Sequence, residues 1–293
     1  MFWHKRRDCG IVRLLNRGPN AVAVCLVMTF FFLSGSVFCA AKPAQTLTIG
    51  GTGCALGGIK EVATAFQKKY PDITIKIVPS LGSSGGINAV LAGTLDLALS
   101  ARPLTHQEKI KGASAIEYAR TPFVFAAAHG GERGVTLQQV ASIYAGDIQV
   151  WPDHTPIRLV IRPEADTDTE LLKAMSPAME KAVQKALSRN GMLLALTDQE
   201  NADLLEKVKG AFGTAALAQI MSEKRPLRAL PLDGVTPSLR SLASGAYPYS
   251  KVFSVVTGTR SDPAVRRFIE FLFTPEGKAI LSRTGHLVLQ SAR

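Results

Sequence analysis

The sequence predicts an α/β protein of two lobes, and three observations predict it. Between Thr46 and Tyr118, short apolar runs rich in β-branched residues alternate with amphipathic stretches, the pattern of strands joined by crossover helices. Two strand–turn–helix units follow each other there, turning at Gly51-Thr52-Gly53-Cys54 and at Gly82-Ser83-Ser84-Gly85-Gly86. The extended segments 121–128 and 251–257 have the character of chain crossing between lobes, which makes a hinged clamp with its ligand in the cleft.

Taken in order, periodicity predicts strands over 46–50, 73–79, 95–99 and 115–119, with helices over 56–69, 86–92 and 105–111 between them. The second lobe is expected to hold a helix at 137–144, a turn at Trp151-Pro152-Asp153 and a strand at 157–161. Helices at 168–175, 178–189 and 198–208 follow, then a turn at Gly210-Ala211-Phe212-Gly213. Tyr247-Pro248-Tyr249 leads into the returning strand 251–257, and helices at 263–273 and 275–283 are expected to pack back on the first lobe. The domain reading is 1–41 leader, 42–124 first lobe, 125–248 second lobe and 249–293 return to the first.

The leader reading rests on charge and length. Lys5, Arg6, Arg7, Arg13 and Arg17 precede an apolar run from Ala21 to Leu33 and then small residues up to Ala41, the layout of a secretory signal peptide. The alternative is an uncleaved membrane anchor, since 21–41 is just long enough to span a bilayer. Cys9, Cys25 and Cys39 lie in this leader, which leaves Cys54 alone in the exported part and excludes an intramolecular disulfide or a cysteine metal site. The scattered histidines show no ligand spacing, so no metal or cofactor is expected. The formal charge of +11 is spread along the chain, with 7% aromatics and no recognition motif, which argues against nucleic acid and suits an anionic ligand or envelope surface.

The two turns carry the chemistry. Each places unpaired backbone N–H groups at a helix N-terminus, where the helix dipole favours an anion; Thr52, Gly53 and Cys54 serve the first, Ser83, Ser84 and Gly85 the second. Neither is a dinucleotide fingerprint or a P-loop, because Leu56 stands at the third glycine position and no Gly-Lys-Ser/Thr follows. Gly82-Ser83-Ser84-Gly85-Gly86 also satisfies Gly-x-Ser-x-Gly, so a serine hydrolase using Ser84 with His286 is the competing enzyme reading. Arg162, at the end of a strand, can grip two oxygens of an anion, and Arg102 is a second candidate. Asp166 or Asp168 is expected to cap the helix that follows Arg162. Cys54 reads either as a thiolate favoured by the helix N-terminus or as a small, inert, buried residue.

At these residues the chain resembles the phosphate-binding components of bacterial ABC transporters, two-lobed periplasmic binding proteins of type II. The motifs that carry the resemblance run in the family's order: the glycine-rich first turn, Gly-Ser-Ser-Gly-Gly, Thr94-Leu-Asp-Leu-Ala-Leu-Ser100 with Pro103-Leu104, the Tyr144-Ala-Gly…Trp151 segment, Arg162, Gly210-Ala-Phe-Gly213 and Tyr-Pro-Tyr. The resemblance implies mixed sheets flanked by helices, two crossover strands as hinge, and a non-enzymatic monomer in the periplasm. Its ligand would be an inorganic oxyanion, phosphate first, and its partner an ABC permease in the inner membrane; an envelope receptor without a transport role is the alternative on the same fold. By the same token Gly53, Cys54, Ser83 and Arg162 line the ligand site, with Thr52, Ser84, Gly85 and Arg102 beside them and Thr167 and Thr169 from the segment after Arg162. The chain departs from the family at two places. Ala101 stands where the family has an aspartate that accepts the proton of hydrogen phosphate, and Asp166-Thr167-Asp168-Thr169 replaces Ser-Gly-Thr. The first change predicts poor discrimination against sulfate; the second brings negative charge to an anion site.

Overall fold

The computed structural model describes residues 45–128, 134–260 and 262–289, all within the compact unit Pro43–Arg293. The leader expected over 1–41 therefore lies outside the described residues, as does His129. β1 (Gln45–Gly51) leads into α1 (Gly53–Lys69), β2 (Ile73–Ile77), α2 (Gly82–Leu91), β3 (Leu97–Ser100) and α3 (His106–Ile110). The long strand β4 (Ser114–Ala127) follows, then α4 (Leu137–Ala145), β5 (Arg158–Ile161), α5 (Thr167–Met175) and α6 (Pro177–Ser188). After β6 (Leu193–Leu194) and α7 (Asp198–Lys207) come β7 (Ala211–Ala216), α8 (Leu217–Ser222), β8 (Arg228–Ala229) and α9 (Leu239–Ala243). β9 (Ser250–Thr257), α10 (Pro263–Leu272), α11 (Pro275–Arg283) and β10 (Leu287–Val288) complete it.

These strands form one open, mixed sheet in the order β2-β1-β3-β9-β4-β7-β5-β6, with helices against it. β1 pairs in parallel with β2 and β3, and β5 in parallel with β6 and β7, whereas β9 and β4 run antiparallel to each other from Ser114–Thr257 to Pro122–Ser250. Two main cores sit on either side of that antiparallel pair. In the first, Phe66 of α1 meets Phe268 and Phe271 of α10 edge-on, together with Leu47, Leu97, Tyr118 and Phe253. In the second, Phe123 and Phe125 of β4 pack with Tyr144, Trp151, Met179 and Phe212. The C-terminal helices thus return to the first core, as the amphipathic pattern predicts.

Four local differences from the sequence reading have physical causes. α1 starts at Gly53 and α2 at Gly82, so each glycine-rich turn is itself the first helical turn rather than a loop before it. The strand expected at 115–119 and the crossing at 121–128 are one strand, because Pro122 is tolerated: Phe123, not Pro122, donates to the Tyr249 carbonyl (3.0 Å). Only Gly210 of the Gly210–Gly213 segment lies in a turn; Ala211–Gly213 open β7, a fully buried strand whose Gly213 lets the Val160 carbonyl approach. Short elements such as α8 and β10 carry too few residues to show a period.

The two turns are neighbours. Leu81 N–H donates to the Gly51 carbonyl (3.0 Å), and a β-carbon on Gly86 would sit 2.6 Å from Gly51 Cα. Only glycine allows α2 to lie this close to β1. Gly86→Ala should therefore destabilise by about 1–3 kcal/mol through forced backbone displacement. Urea unfolding measures it, and a change below about 0.5 kcal/mol would show that α2 is free to ride off β1.

Candidate functional site

β1 delivers Thr52 and Cys54 to the N-terminus of α1, and there the helix is capped in an unusual way. Thr52 occupies the N-cap position in an extended conformation, yet its side chain makes no cap bond to its own helix. Its hydroxyl donates instead to Asp198 Oδ2 (3.2 Å), 146 residues away in sequence. The Cys54 N–H donates to the same oxygen at 3.0 Å. A carboxylate from the start of α7 thus satisfies an orphan donor at the positive end of α1. Gln199 reinforces the junction through Nε2 to the Gly53 carbonyl (3.1 Å), and Gln219 Nε2 holds the Asp198 carbonyl at 3.2 Å.

β5 ends at Ile161 and presents Arg162, which is 5% exposed. One guanidinium nitrogen donates to the Ala195 carbonyl (2.9 Å) and the other to Asp166 Oδ2 (2.8 Å), leaving the latter 3.9 Å from Asp198 Oδ1. Asp166 also caps α5 by accepting from the Asp168 N–H at 2.9 Å, one of the two capping residues the sequence offers. Thr169 turns its hydroxyl back to the Arg162 carbonyl (3.3 Å), so it fastens the loop. Thr167 is the first residue of α5.

Asp168 is buried and ion-paired with the equally buried Lys251 at the head of β9, and accepts from the Thr214 hydroxyl at 3.1 Å. The buried cations Arg162 and Lys251 thus face the buried Asp168 and Asp198, with the half-buried Asp166 as a third carboxylate at the edge. Burial alone would raise the Asp198 pKa, but Lys251, Arg162, the Cys54 N–H and the Thr52 hydroxyl together hold it below the usual carboxylate range. Burial first, and then the Asp198 charge, pushes the Cys54 thiol up to about 12. Cys54 is thus the inert, buried residue of the two sequence alternatives, 1% exposed, and contributes its backbone N–H. On its α5 and α6 side Arg162 borders a separate small void of about 10 Å³, lined by Tyr144, Leu172, Val183 and Thr214.

The second turn forms its own group. The Ser83 hydroxyl accepts from the Ala101 N–H (2.9 Å). Ser84 Oγ accepts from Arg102 at 2.9 and 3.2 Å, while the same guanidinium makes a two-pronged pair with Glu108 at 2.7 and 2.9 Å. Arg102 accordingly holds the Glu108 carboxyl down to about 2. Gly85 has a tight neighbour in Leu81 Cβ, 3.2 Å from where its own β-carbon would stand. The elbow serine is not paired with histidine: His286 is fully buried between Tyr118 and Phe253, its pKa pushed down to about 4 by burial. Among the described residues no group of three or more His, Cys, Asp or Glu residues could hold a metal, and no helix is long and apolar enough to cross a membrane.

The structure thus brings together Thr52, Gly53, Cys54 and Arg162, and joins to them Asp198, Gln199, Lys251 and Thr214, which sequence reasoning did not single out. Asp198 is disguised as an ordinary first-turn acid after Thr197, which does cap α7. Lys251 left a readable signal, because a lysine heading an otherwise apolar strand demands a buried counter-charge.

A profile of the PBP superfamily domain matches residues 39–276. The chain belongs to that superfamily. Among curated relatives, the phosphate-binding protein PstS of Bacillus subtilis (strain 168) is 22% identical over 258 residues, covering 84% of this chain and 81% of PstS. PstS of Borreliella burgdorferi is 21% identical over 282 residues, covering 91% and 99%. Among solved structures, a candidate phosphate ABC transporter substrate-binding protein of Clostridium perfringens, with bound phosphate, superposes with a TM-score of 0.72 at 22% identity, over 84% of this chain and all of that one. An ABC-type phosphate transport receptor of Vibrio cholerae gives 0.58 at 18% identity, over 83% and 99%. The α/β sheet flanked by helices is the type II periplasmic-binding-protein fold.

Within this PBP-superfamily site the Lys251–Asp168 pair is the deepest charge contact. Lys251→Met should lower stability by about 3–5 kcal/mol, because it strands a buried carboxylate. Adding Asp168→Asn should recover at least half of that loss in urea unfolding. No recovery would mean that Lys251 acts through its packing under Phe123 rather than through its charge.

Proposed function

We propose that this chain is an exported solute-binding protein that captures an inorganic oxyanion, phosphate first, and delivers it to an ABC permease without chemistry of its own. The observation that carries the reading is the convergence of the Thr52 hydroxyl, the Cys54 N–H and the Arg162 guanidinium on one carboxylate, which is itself an oxyanion. Relatives named as phosphate-binding proteins, and a structural neighbour holding phosphate, support the same ligand. The two cores on either side of β4 and β9 act as lobes, 42–124 with 249–293 against 125–248, and the cleft between them opens for the anion. A signal peptide over 1–41 places the monomer in the periplasm, where the permease meets it.

Magnitudes are adequate. Micromolar affinity needs about 8 kcal/mol, and charge-assisted hydrogen bonds contribute roughly 1.5–3 kcal/mol each. A handful suffices after ordering costs. Isothermal titration of the full chain with phosphate, arsenate and sulfate tests the proposal. Arg162→Ala should weaken phosphate binding by about 2 kcal/mol, close to thirtyfold. With Ala101 in place of an acceptor, sulfate should compete within about tenfold (1.4 kcal/mol) of phosphate. Unchanged affinity in Arg162→Ala would remove that residue from the site, and the absence of binding to all three anions would overturn the reading.

A further inference from the structure

We propose that Asp198 is a tethered competitor for the protein's own ligand: its carboxylate sits on the oxyanion donors, and an external anion binds only by displacing it. The inference rests on the oxyanion reading above and deepens it.

Occupancy is the first argument. Asp198 Oδ2 accepts from both the Thr52 hydroxyl and the Cys54 N–H, and Oδ1 lies 3.9 Å from Arg162. With the carboxylate in place, the Thr52 hydroxyl and the Cys54 N–H are both taken and Arg162 faces a carboxylate oxygen, so an external anion finds no free donor pair there. Charge is the second. The two cations, Arg162 and Lys251, already face the buried Asp168 and Asp198 and the 22% exposed Asp166, so a further anion there would meet no free cation. Moving Asp198 into water leaves the two cations balanced by Asp166 and Asp168 and frees the donors for the newcomer.

The third argument explains why the exchange is feasible. The carboxylate fills its seat imperfectly: the donors Arg162 Nε and Ser80 Oγ are buried with no hydrogen-bond partner. Ser80 Oγ lies at the same turn, 2.8 Å from where a β-carbon of Gly53 would stand. A two-oxygen carboxylate does not reach the Arg162 Nε and Ser80 donors, whereas a tetrahedral anion offers four oxygens to Thr52, Cys54, Ser80 and Arg162. Asp198 is therefore a specificity-determining residue. It excludes small carboxylates and other anions that gain no more contacts than it already makes, and it admits tetrahedral oxyanions.

The test uses the full chain and two readouts. Calorimetry with inorganic phosphate should show binding at least tenfold tighter in Asp198→Asn than in the natural protein. Asp147→Asn, which removes the same charge at an exposed pair with Lys185 and leaves Thr52 and Cys54 occupied, should change affinity less than threefold. Independently of any ligand, amide hydrogen exchange at Cys54 should be at least tenfold faster in Asp198→Ala, with exchange in the α10 core unchanged to show that the variant is folded. Phosphate affinity and Cys54 exchange both unaltered by the Asp198 changes would overturn the proposal, as would an equal gain in Asp147→Asn. Faster Cys54 exchange without phosphate binding in any variant would leave Asp198 as the internal occupant and bring down the phosphate reading instead.

Discussion

Everything at the centre of this protein depends on one constraint: charges taken out of water must be matched, and here they are matched by residues far apart in the sequence. Arg162 stands at the end of β5, Asp198 at the start of α7 and Lys251 at the head of β9, while Thr52 and Cys54 open α1. None of these groups tolerates burial alone. Their mutual satisfaction fixes where α7 meets α1, and it joins the first core to the second at the strands that run between them.

The fold supplies this arrangement through backbone more than through side chains. Parallel strands β1 and β3 end next to each other, and the close contact of Gly86 with Gly51 brings the second helix N-terminus beside the first. The N-terminus of α1 makes an electropositive seat without any cation of its own. Arg162 adds a full charge from the other side, held rigid by the Ala195 carbonyl and Asp166. In this chain the seat carries its own carboxylate, and the excess of negative charge seen in the sequence around Asp166 and Asp168 is extended by Asp198.

Much of this was legible in the sequence, and the failures are instructive. The alternation up to Tyr118, the two glycine turns and the strand-end Arg162 are local patterns, so composition and period reveal them. The placement of α10 and α11 followed from amphipathic faces that need a core. What periodicity could not show was β7, whose small residues are buried on every side and so alternate with nothing. Nor could it show Asp198, because a first-turn acid looks the same whether it faces water or reaches 146 residues back to Thr52. The identity of a buried ion partner is a tertiary fact. Only the demand for one, advertised by Lys251 in an apolar strand, is written locally.

A crystal structure of the full chain grown with phosphate tests the central claim most directly. The account predicts phosphate oxygens within hydrogen-bond reach of the Thr52 hydroxyl, the Cys54 N–H and the Arg162 guanidinium, with the Asp198 carboxylate withdrawn from all three. Phosphate bound elsewhere while Asp198 still accepts from Cys54 would contradict it.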